Sequence, residues 1–395
     1  MRLSSTCVTI LVLWIVIIFF VFLAFYELND HETKKSDTFV VKRDSRNGTS
    51  LRSEVPKVIP EVIVPLVSDV DAVPIIASGK SKFAYVSLMH GIDDRFGYRG
   101  FLYNALLTKK SLEKLGSTAD FIVLVGFTAG DDPNNDEINR DLQLLRDFGV
   151  IVYYLPRFVP EMKLAFCEMA LLKITPFNFL EYDRIQFLDG DVLPYKNMDC
   201  LFGLDRNTFN TGSASPVNSG WYLAIPNHND YMEMKQLAIH RLTHKWDEIK
   251  GWGKEIPENS LLYRGSNKAV KKWDFNGASL DQGLVTHYFV LTHGRIQLLD
   301  TKVVRKYEPG YVLDSDDEAS VKEALHVCEG SPLPTSMFYH YTGRNKPWLQ
   351  DLRTPKDASL QLWANLLDGL NTTITSKNIH EHPLKPPLGF FHPNK

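Results

Sequence analysis

Two carboxylates separated by one glycine, Asp189-Gly190-Asp191, close the apolar run Arg184-Ile-Gln-Phe-Leu188. At the carboxyl end of a buried strand such a pair can turn its oxygens toward one hard divalent cation, and Gly190 leaves room for a phosphate or sugar against the backbone. The spacing alone says little. Asp69-Val70-Asp71 and Asp314-Ser315-Asp316 share it, and most such pairs are solvated surface groups. Only its place after a strand lifts Asp189-Gly190-Asp191 above them. A second constellation stands far along the chain, His340-Tyr-Thr-Gly343-Arg-Asn-Lys346-Pro-Trp348. A solitary histidine is more often structural, but a histidine, a glycine and a lysine beside a rigid Pro-Trp read as a site. Imidazole is an acceptable third ligand for manganese beside carboxylates, and Lys346 can neutralise a diphosphate.

The elements that must hold these groups follow from the hydrophobic period. FAYVSLM (83–89), FIVLVGF (121–127), GVIVYYL (149–155) and RIQFLD (184–189) each read as a buried strand. Between them, Phe101 to Leu115 places Leu102, Ala105, Leu106, Leu112 and Leu115 largely on one helical face. Asp136 to Phe148 and Pro160 to Tyr182 are the next helical stretches, the latter expected to break near Pro176. Strand and helix in alternation predict an α/β fold with a mainly parallel central sheet covered on both faces. In such sheets ligands bind at the carboxyl ends of the strands, where Asp189 and Asp191 stand.

With 395 residues, 44% of them hydrophobic, the chain can bury one large catalytic domain or two small ones. Its formal net charge of −3 gives no reason to expect nucleic acid as a partner. Cys7 to Tyr26 carries no charge and is long enough to cross a bilayer. It outruns the apolar part of a cleaved signal and has no small-residue cut site, so it reads as an uncleaved N-terminal transmembrane helix behind a short tail, residues 1–6. Basic residues flank it weakly on both sides, and the preferred orientation puts the rest of the chain in the lumen. Residues 27–80, with prolines at 56, 60, 65 and 74, read as an extended stem. The sequons at Asn47 and Asn371 agree with a secretory setting. Cys167, Cys200 and Cys328 allow one disulfide and a free thiol, with the pair left open.

Further short segments join the two constellations. Leu172-Lys173 precedes Tyr182 and Phe187-Leu-Asp-Gly-Asp191; Asn218-Ser219-Gly220 opens an apolar strand; and Asp281-Gln282-Gly283 comes after it. In this order, across residues 83 to 348, the sequence resembles glycosyltransferase family 8, the glycogenin-like and galactinol-synthase-like enzymes. The resemblance implies a GT-A, Rossmann-like nucleotide-sugar-binding fold over residues 81–348. It also implies a nucleotide-sugar donor, manganese (Mn2+), and retention of anomeric configuration. Carried over by position, Asp189, Asp191 and His340 would hold the metal, Gly343 and Lys346 would contact the diphosphate, and Lys173 would lie beside the donor. Asn218, Ser219 and Gly220 would line the sugar pocket, while Asp281 and Gln282 would sit by the transferred sugar. The resemblance leaves both a nucleophilic Asp281 and a front-face route open.

The fit is not complete. Where glycogenin-type enzymes carry an acidic residue three positions before the D-Q-G aspartate, this chain has Ala278. The nucleotide-contacting aromatic is open among Tyr98, Phe101 and Tyr103, and residues 349–395 have no assignment. The acceptor is expected to be a glycan, a glycolipid or a protein, and the setting a Golgi or other secretory-pathway membrane, as a single-pass type II protein. Two rival readings remain. Phe187-Leu-Asp-Gly-Asp-Val192 also fits the opening motif of aspartate-nucleophile phosphatases, although such a motif opens its fold and here about a hundred residues of alternating strand and helix precede it. A nucleotide-sugar- or glycan-binding protein without turnover is the other.

Overall fold

The computed structural model describes residues 81–90, 99–126 and 136–379, the last stretch with gaps, the longest at 308–327 and 329–336. All of them lie in the unit Pro65–Lys395. The four expected strands form as β1 (Phe83–His90), β2 (Asp120–Gly126), β3 (Ile151–Leu155) and β4 (Arg184–Leu188). Their alternation fills two separate cores. Tyr85, Met89, Phe121, Val123 and Val125 face one side, and Ala84, Val86, Leu88, Ile122 and Leu124 face the other. Both faces are apolar because both are covered, as the alternating strand and helix pattern requires.

Further along the chain come β5 (Val192–Pro194), β6 (Thr208–Asn210), β7 (Asn218–Ala224), β10 (Ile296–Leu299), β11 (Val304–Tyr307) and β12 (Phe338–His340), with a small hairpin, β8 (Tyr263–Arg264) and β9 (Lys268–Ala269), between β7 and β10. The large sheet runs β11-β10-β6-β7-β4-β1-β2-β3. It is parallel through β3, β2, β1 and β4 and again between β6 and β10. The direction reverses where β7 joins β4 and β6, and at β11. The central sheet is thus mostly parallel, with β7 as an antiparallel insertion whose start lies beside the end of β4. That reversal brings Asn218-Ser219-Gly220 to the carboxyl edge of the parallel strands.

Helix α1 (Arg99–Lys114) stops at Gly116, whose φ of +80 lets Ser117 N return to Leu112 O at 3.0 Å. Helix α2 (Asp136–Asp147) ends in the same way at Gly149. The stretch expected as a helix from Pro160 to Tyr182 is instead a run of 3₁₀ turns over Glu168–Asn178 that passes through Pro176. Pro176 lacks the N–H that would bond Leu172 O in an α-helix, and the Thr175 hydroxyl donates to that carbonyl at 2.8 Å instead. Helix α3 (His228–Thr243) is capped by Asn227, whose side chain accepts from Asn229 N and Asp230 N. Helix α4 (Asp281–Val285) continues as a π-helical stretch, Thr286–His293, and with the 3₁₀ run and α3 covers the second face.

Residues 349–379, which the sequence leaves unassigned, fold onto the first face. Asp357 caps α5 (Ala358–Asp368), and Trp363 on that helix is fully buried. Its indole nitrogen donates to Asn104 Oδ1 at 3.0 Å. The packed body therefore runs past Trp348 to Ile379, which is itself buried.

Among the described residues, no helix is long and apolar enough to cross a membrane. The expected anchor (7–26), the stem (27–80), Asn47 and Asn371 lie outside the described residues. The disulfide left open by the sequence joins Cys200 to Cys328, with Cα atoms 5.2 Å apart, and Cys167 is an exposed free thiol. It closes 128 residues, a loop for which chain entropy favours the folded state by about 2–5 kcal/mol. Replacing both Cys200 and Cys328 with serine should lower the urea midpoint correspondingly. Replacing Cys167 should leave it in place, and equal midpoints for all three proteins would show that the cross-link contributes nothing.

Candidate active site

The site is assembled at the carboxyl edge of β4, where the chain turns through Asp189-Gly190-Asp191 into β5. The turn is held by backbone bonds: Asp189 N donates to Gly220 O and Val192 N donates to Asp189 O, both at 2.9 Å. Gly190 is needed for a reason other than access by a ligand. A methyl group there would lie 2.8 Å from the ring of Phe101 and 3.2 Å from Leu88 O. Of the two aromatic candidates among the described residues, Phe101 lies against this turn, edge-on to Trp348 with centroids 5.1 Å apart. Tyr103 is buried in the core instead, and Tyr98 lies outside the described residues.

β5 does not join the large sheet. It pairs antiparallel with β12, Val192 opposite His340, and Tyr341 N donates to Asp191 O at 3.0 Å. The other edge of β5 is satisfied by side chains of α1. Asn104 Nδ2 and Thr108 Oγ1 donate to Val192 O at 2.9 and 3.1 Å, and Ser111 Oγ donates to Pro194 O at 2.5 Å. Nothing in the spacing of these polar residues within an apolar helical face marks them as strand partners, so sequence reasoning missed them.

This pairing brings the two distant constellations together. His340 Nε2 lies 3.2 Å from Asp191 Oδ1 and 3.8 Å from Asp189 Oδ2. Ligand atoms of Asp189, Asp191 and His340 fall within 4.8 Å of one another. Two hard carboxylates and one imidazole suit a divalent ion such as manganese or magnesium, and this donor set fits the metal that the resemblance implies. Lys346, only 2% exposed, binds Asp191 Oδ2 and donates to Tyr341 O at 2.8 Å. Gly343, at φ +62, makes the left-handed turn that returns Lys346 to the site.

A second cation sits on the opposite side. Lys173 Nζ is 2.7 Å from Asp189 Oδ1 and 3.2 Å from Asp281 Oδ2, and Ser219 Oγ, which accepts from Lys173 at 3.5 Å, donates to Asp281. Tyr222 OH donates to the backbone carbonyl of Lys173 and fixes the 3₁₀ run against β7. Burial and opposed charges set the protonation of the cluster. Burial raises the Asp189 carboxyl, and Asp191 beside it adds to the rise against the pull of Lys173. For Asp191 burial acts in the same direction, but His340 and Lys346 outweigh it and hold that carboxyl well below its usual range. Burial works against the charged form of His340, yet Asp191 and Asp189 raise it. His90, at the end of β1, is lowered to about 3 by burial and then by the Lys173 charge, so a neutral imidazole stands near the lysine.

The remaining short motifs take structural meaning here. In Asn218-Ser219-Gly220, Asn218 Oδ1 accepts from Gly220 N at 2.8 Å, Ser219 ties Asp281, and Gly220 makes space for His340. In Asp281-Gln282-Gly283, Asp281 is 4% exposed and faces Lys173, while Gly283 passes close to Ala278, where a methyl group would lie 1.7 Å from the carbonyl oxygen. Ala278 is buried with its carbonyl accepting from Trp252 Nε1 at 2.8 Å. Asp189, Asp191, His340, Lys346, Lys173, Ser219 and Asp281 are joined by these contacts, with Asn218 and Gly220 adjoining, while Gln282 and Gly343 lie in the same short segments as Asp281 and Lys346. An aspartate-nucleophile fold would open on the strand that bears Asp189, but β4 is interior to the sheet and three strands precede it.

A Gly220→Ala substitution places a methyl group 2.2 Å from the His340 ring. It should displace the imidazole and weaken manganese binding, read by calorimetry, by about 10–100-fold, the usual cost of disturbing a ligand's support. Unchanged affinity would remove His340 from the ligand set.

The chain matches no protein-family model. It is 23% identical over 266 residues to UDP-glucuronate:xylan alpha-glucuronosyltransferase 1 of Arabidopsis thaliana, covering 67% of this chain and 32% of that protein. It is 28% identical over 138 residues to galactinol synthase 2 of the same plant, covering 34% and 37%. The chain spans about a third of the length of the curated relatives it matches. A crystal structure of the galactosyltransferase LgtC with donor and acceptor sugar analogs matches 74% of this chain and 97% of its own at 13% identity, with a TM-score of 0.43, too loose to bear on the site. The curated homologues of this chain are accordingly glucuronosyltransferases and a galactinol synthase of the glycosyltransferase family 8 type.

Proposed function

We propose that this chain is a retaining glycosyltransferase that moves a hexose-type sugar from a nucleotide sugar, UDP-linked, to a glycan, glycolipid or protein acceptor. The observation that carries the reading is the convergence of Asp189, Asp191 and His340 within 4.8 Å, flanked by Lys173 and Lys346. Asp189, Asp191 and His340 would hold manganese, which as a Lewis acid stabilises the negative charge that develops on a departing diphosphate. Lys346, beside Asp191, adds a positive charge on the same side. Asp281, buried and paired with Lys173, is the carboxylate available to the positive charge developing at the anomeric carbon. Lys173 joins the two regions by bridging Asp189 and Asp281, so it holds both carboxylates in one geometry.

Three of the matched plant proteins are named as glucuronosyltransferases, so UDP-glucuronate is the first donor to test, beside UDP-glucose and UDP-galactose. The anchor expected at Cys7–Tyr26 belongs to the same proposal, with the catalytic domain in the lumen of the Golgi or another secretory-pathway compartment. The Cys200–Cys328 disulfide supports an oxidising setting.

A panel of nucleotide sugars given to the protein with manganese should show hydrolysis or transfer of one of them. Binding of a nucleotide sugar with no turnover would establish a binding protein instead, and steady release of phosphate from a phosphomonoester would favour the phosphatase. Asp189→Asn or Asp191→Asn should abolish manganese-dependent turnover in a protein that still melts cooperatively; full activity in either would sink the metal assignment. Lys346→Ala should weaken donor binding by about 1.5–3 kcal/mol, the scale of a hydrogen bond to a charged group. An unchanged dissociation constant would take Lys346 out of the donor site.

A further inference from the structure

The loop between β6 and β7 carries Ser215 over the start of α4. Ser215 is 2% exposed, and its hydroxyl lies against two oxygens, Val217 O at 2.6 Å and Gln282 Oε1. A hydroxyl has one proton and can donate once. A glutamine amide has an oxygen and a nitrogen of nearly equal size, and the surrounding hydrogen bonds decide which atom faces which neighbour. Exchanging the two atoms, so that Nε2 faces Ser215, lets the amide donate one proton to Oγ while Oγ donates to Val217 O, and the hydroxyl proton is no longer claimed by two acceptors. The opposite orientation sets the Gln282 oxygen against a hydroxyl whose proton is already engaged.

The surroundings leave the amide little freedom. Gly212 N donates to Ser215 O at 3.1 Å and Asn276 N to Ala214 O at 3.2 Å, which pins the loop at both ends. On the far side, Gly277 takes φ +72, and a methyl group there would come within 3.1 Å of the amide atom that points away from Ser215, placed as Nε2. The Gln282 backbone carbonyl accepts from Thr286 Oγ1 at 2.7 Å, so the first turn of α4 is fixed as well. Next to it in the chain, Asp281 is tied to Ser219 and Lys173. Gln282, unlike Asp281, remains partly exposed.

We infer that Ser215 is a positioning residue for Gln282: it takes the amide nitrogen and leaves the carbonyl oxygen to accept a hydrogen bond from a sugar hydroxyl of the substrate. The inference rests on the sugar-transfer reading above. It is tested with the full chain, manganese and whichever UDP-sugar is turned over. Ser215→Ala should lower kcat by about 3–10-fold, the kinetic equivalent of one neutral hydrogen bond, with the donor KM within about twofold. Ser215→Thr, which keeps the hydroxyl, should restore the rate. If the alanine protein does not fold, Ser215→Cys, close in size and a far weaker donor, takes its place with the same expectation.

Gln282→Glu puts an oxygen where the nitrogen stood, so its loss of rate should not deepen when Ser215→Ala is added. Losses that simply multiply would overturn the inference, as would an unchanged kcat in Ser215→Ala. Donor hydrolysis without acceptor separates the two sources of the hydroxyl. Equal falls in hydrolysis and transfer assign it to the donor sugar, and a fall in transfer alone assigns it to the acceptor. Normal turnover of UDP-sugar by the Ser215→Ala protein removes Ser215 and leaves the transferase reading intact; a protein that binds no nucleotide sugar at all ends both.

Discussion

The short pairing of β5 with β12 is the interaction on which the site depends. Three residues after the carboxylate turn meet three residues nearly a hundred and fifty positions later, and that register sets His340 opposite Val192 and thus beside Asp191. The pairing is too short to be stable alone, since isolated two-stranded ribbons are marginal in water. It is supported from one side by Asn104, Thr108 and Ser111 of α1, which take the carbonyls a third strand would have taken. Asn104 also accepts from Trp363, so the helix that follows the last motif braces the same strand from a distance.

Charge is the second constraint. Asp189, Asp191 and Asp281 are brought into a small, largely buried space, which no fold tolerates without compensation. Lys173 and Lys346 supply it from opposite sides, each bound by carboxylate oxygens, and the His340 imidazole lies against Asp191. The arrangement separates two groups of charges physically. Lys346 and His340 concentrate on Asp191, and Lys173 links Asp189 to Asp281.

The glycines of the short motifs then follow from close packing. Gly220 admits His340, Gly190 admits Phe101 and Gly283 admits the Ala278 carbonyl. Each stands where two segments touch with no room for a methyl group. Gly190 shows how this can mislead. Its neighbours suggest an opening kept for a ligand, but the space is filled by an aromatic ring from α1.

Much was legible in the sequence. The strands β1 to β4 and helices α1 and α2 follow from apolar period and glycine stops, because burial and backbone conformation are local properties that a run of residues displays directly. The carboxylate pair could be located because a strand's end is visible as the end of an apolar run. What could not be read were contacts between segments far apart. The Cys200–Cys328 pairing, the choice of Phe101 over Tyr103 and the roles of Asn104, Ser215 and Trp363 depend on which surfaces meet. The helical reading from Pro160 to Tyr182 gave way to a 3₁₀ run because a buried hydroxyl on Thr175 could replace the bond that Pro176 removes. The sequence by itself determined the elements and the residue types able to bind a cation. Only the tertiary structure decided that Asp189, Asp191 and His340 face one another, since a register between distant strands is set by packing and not by the strands themselves.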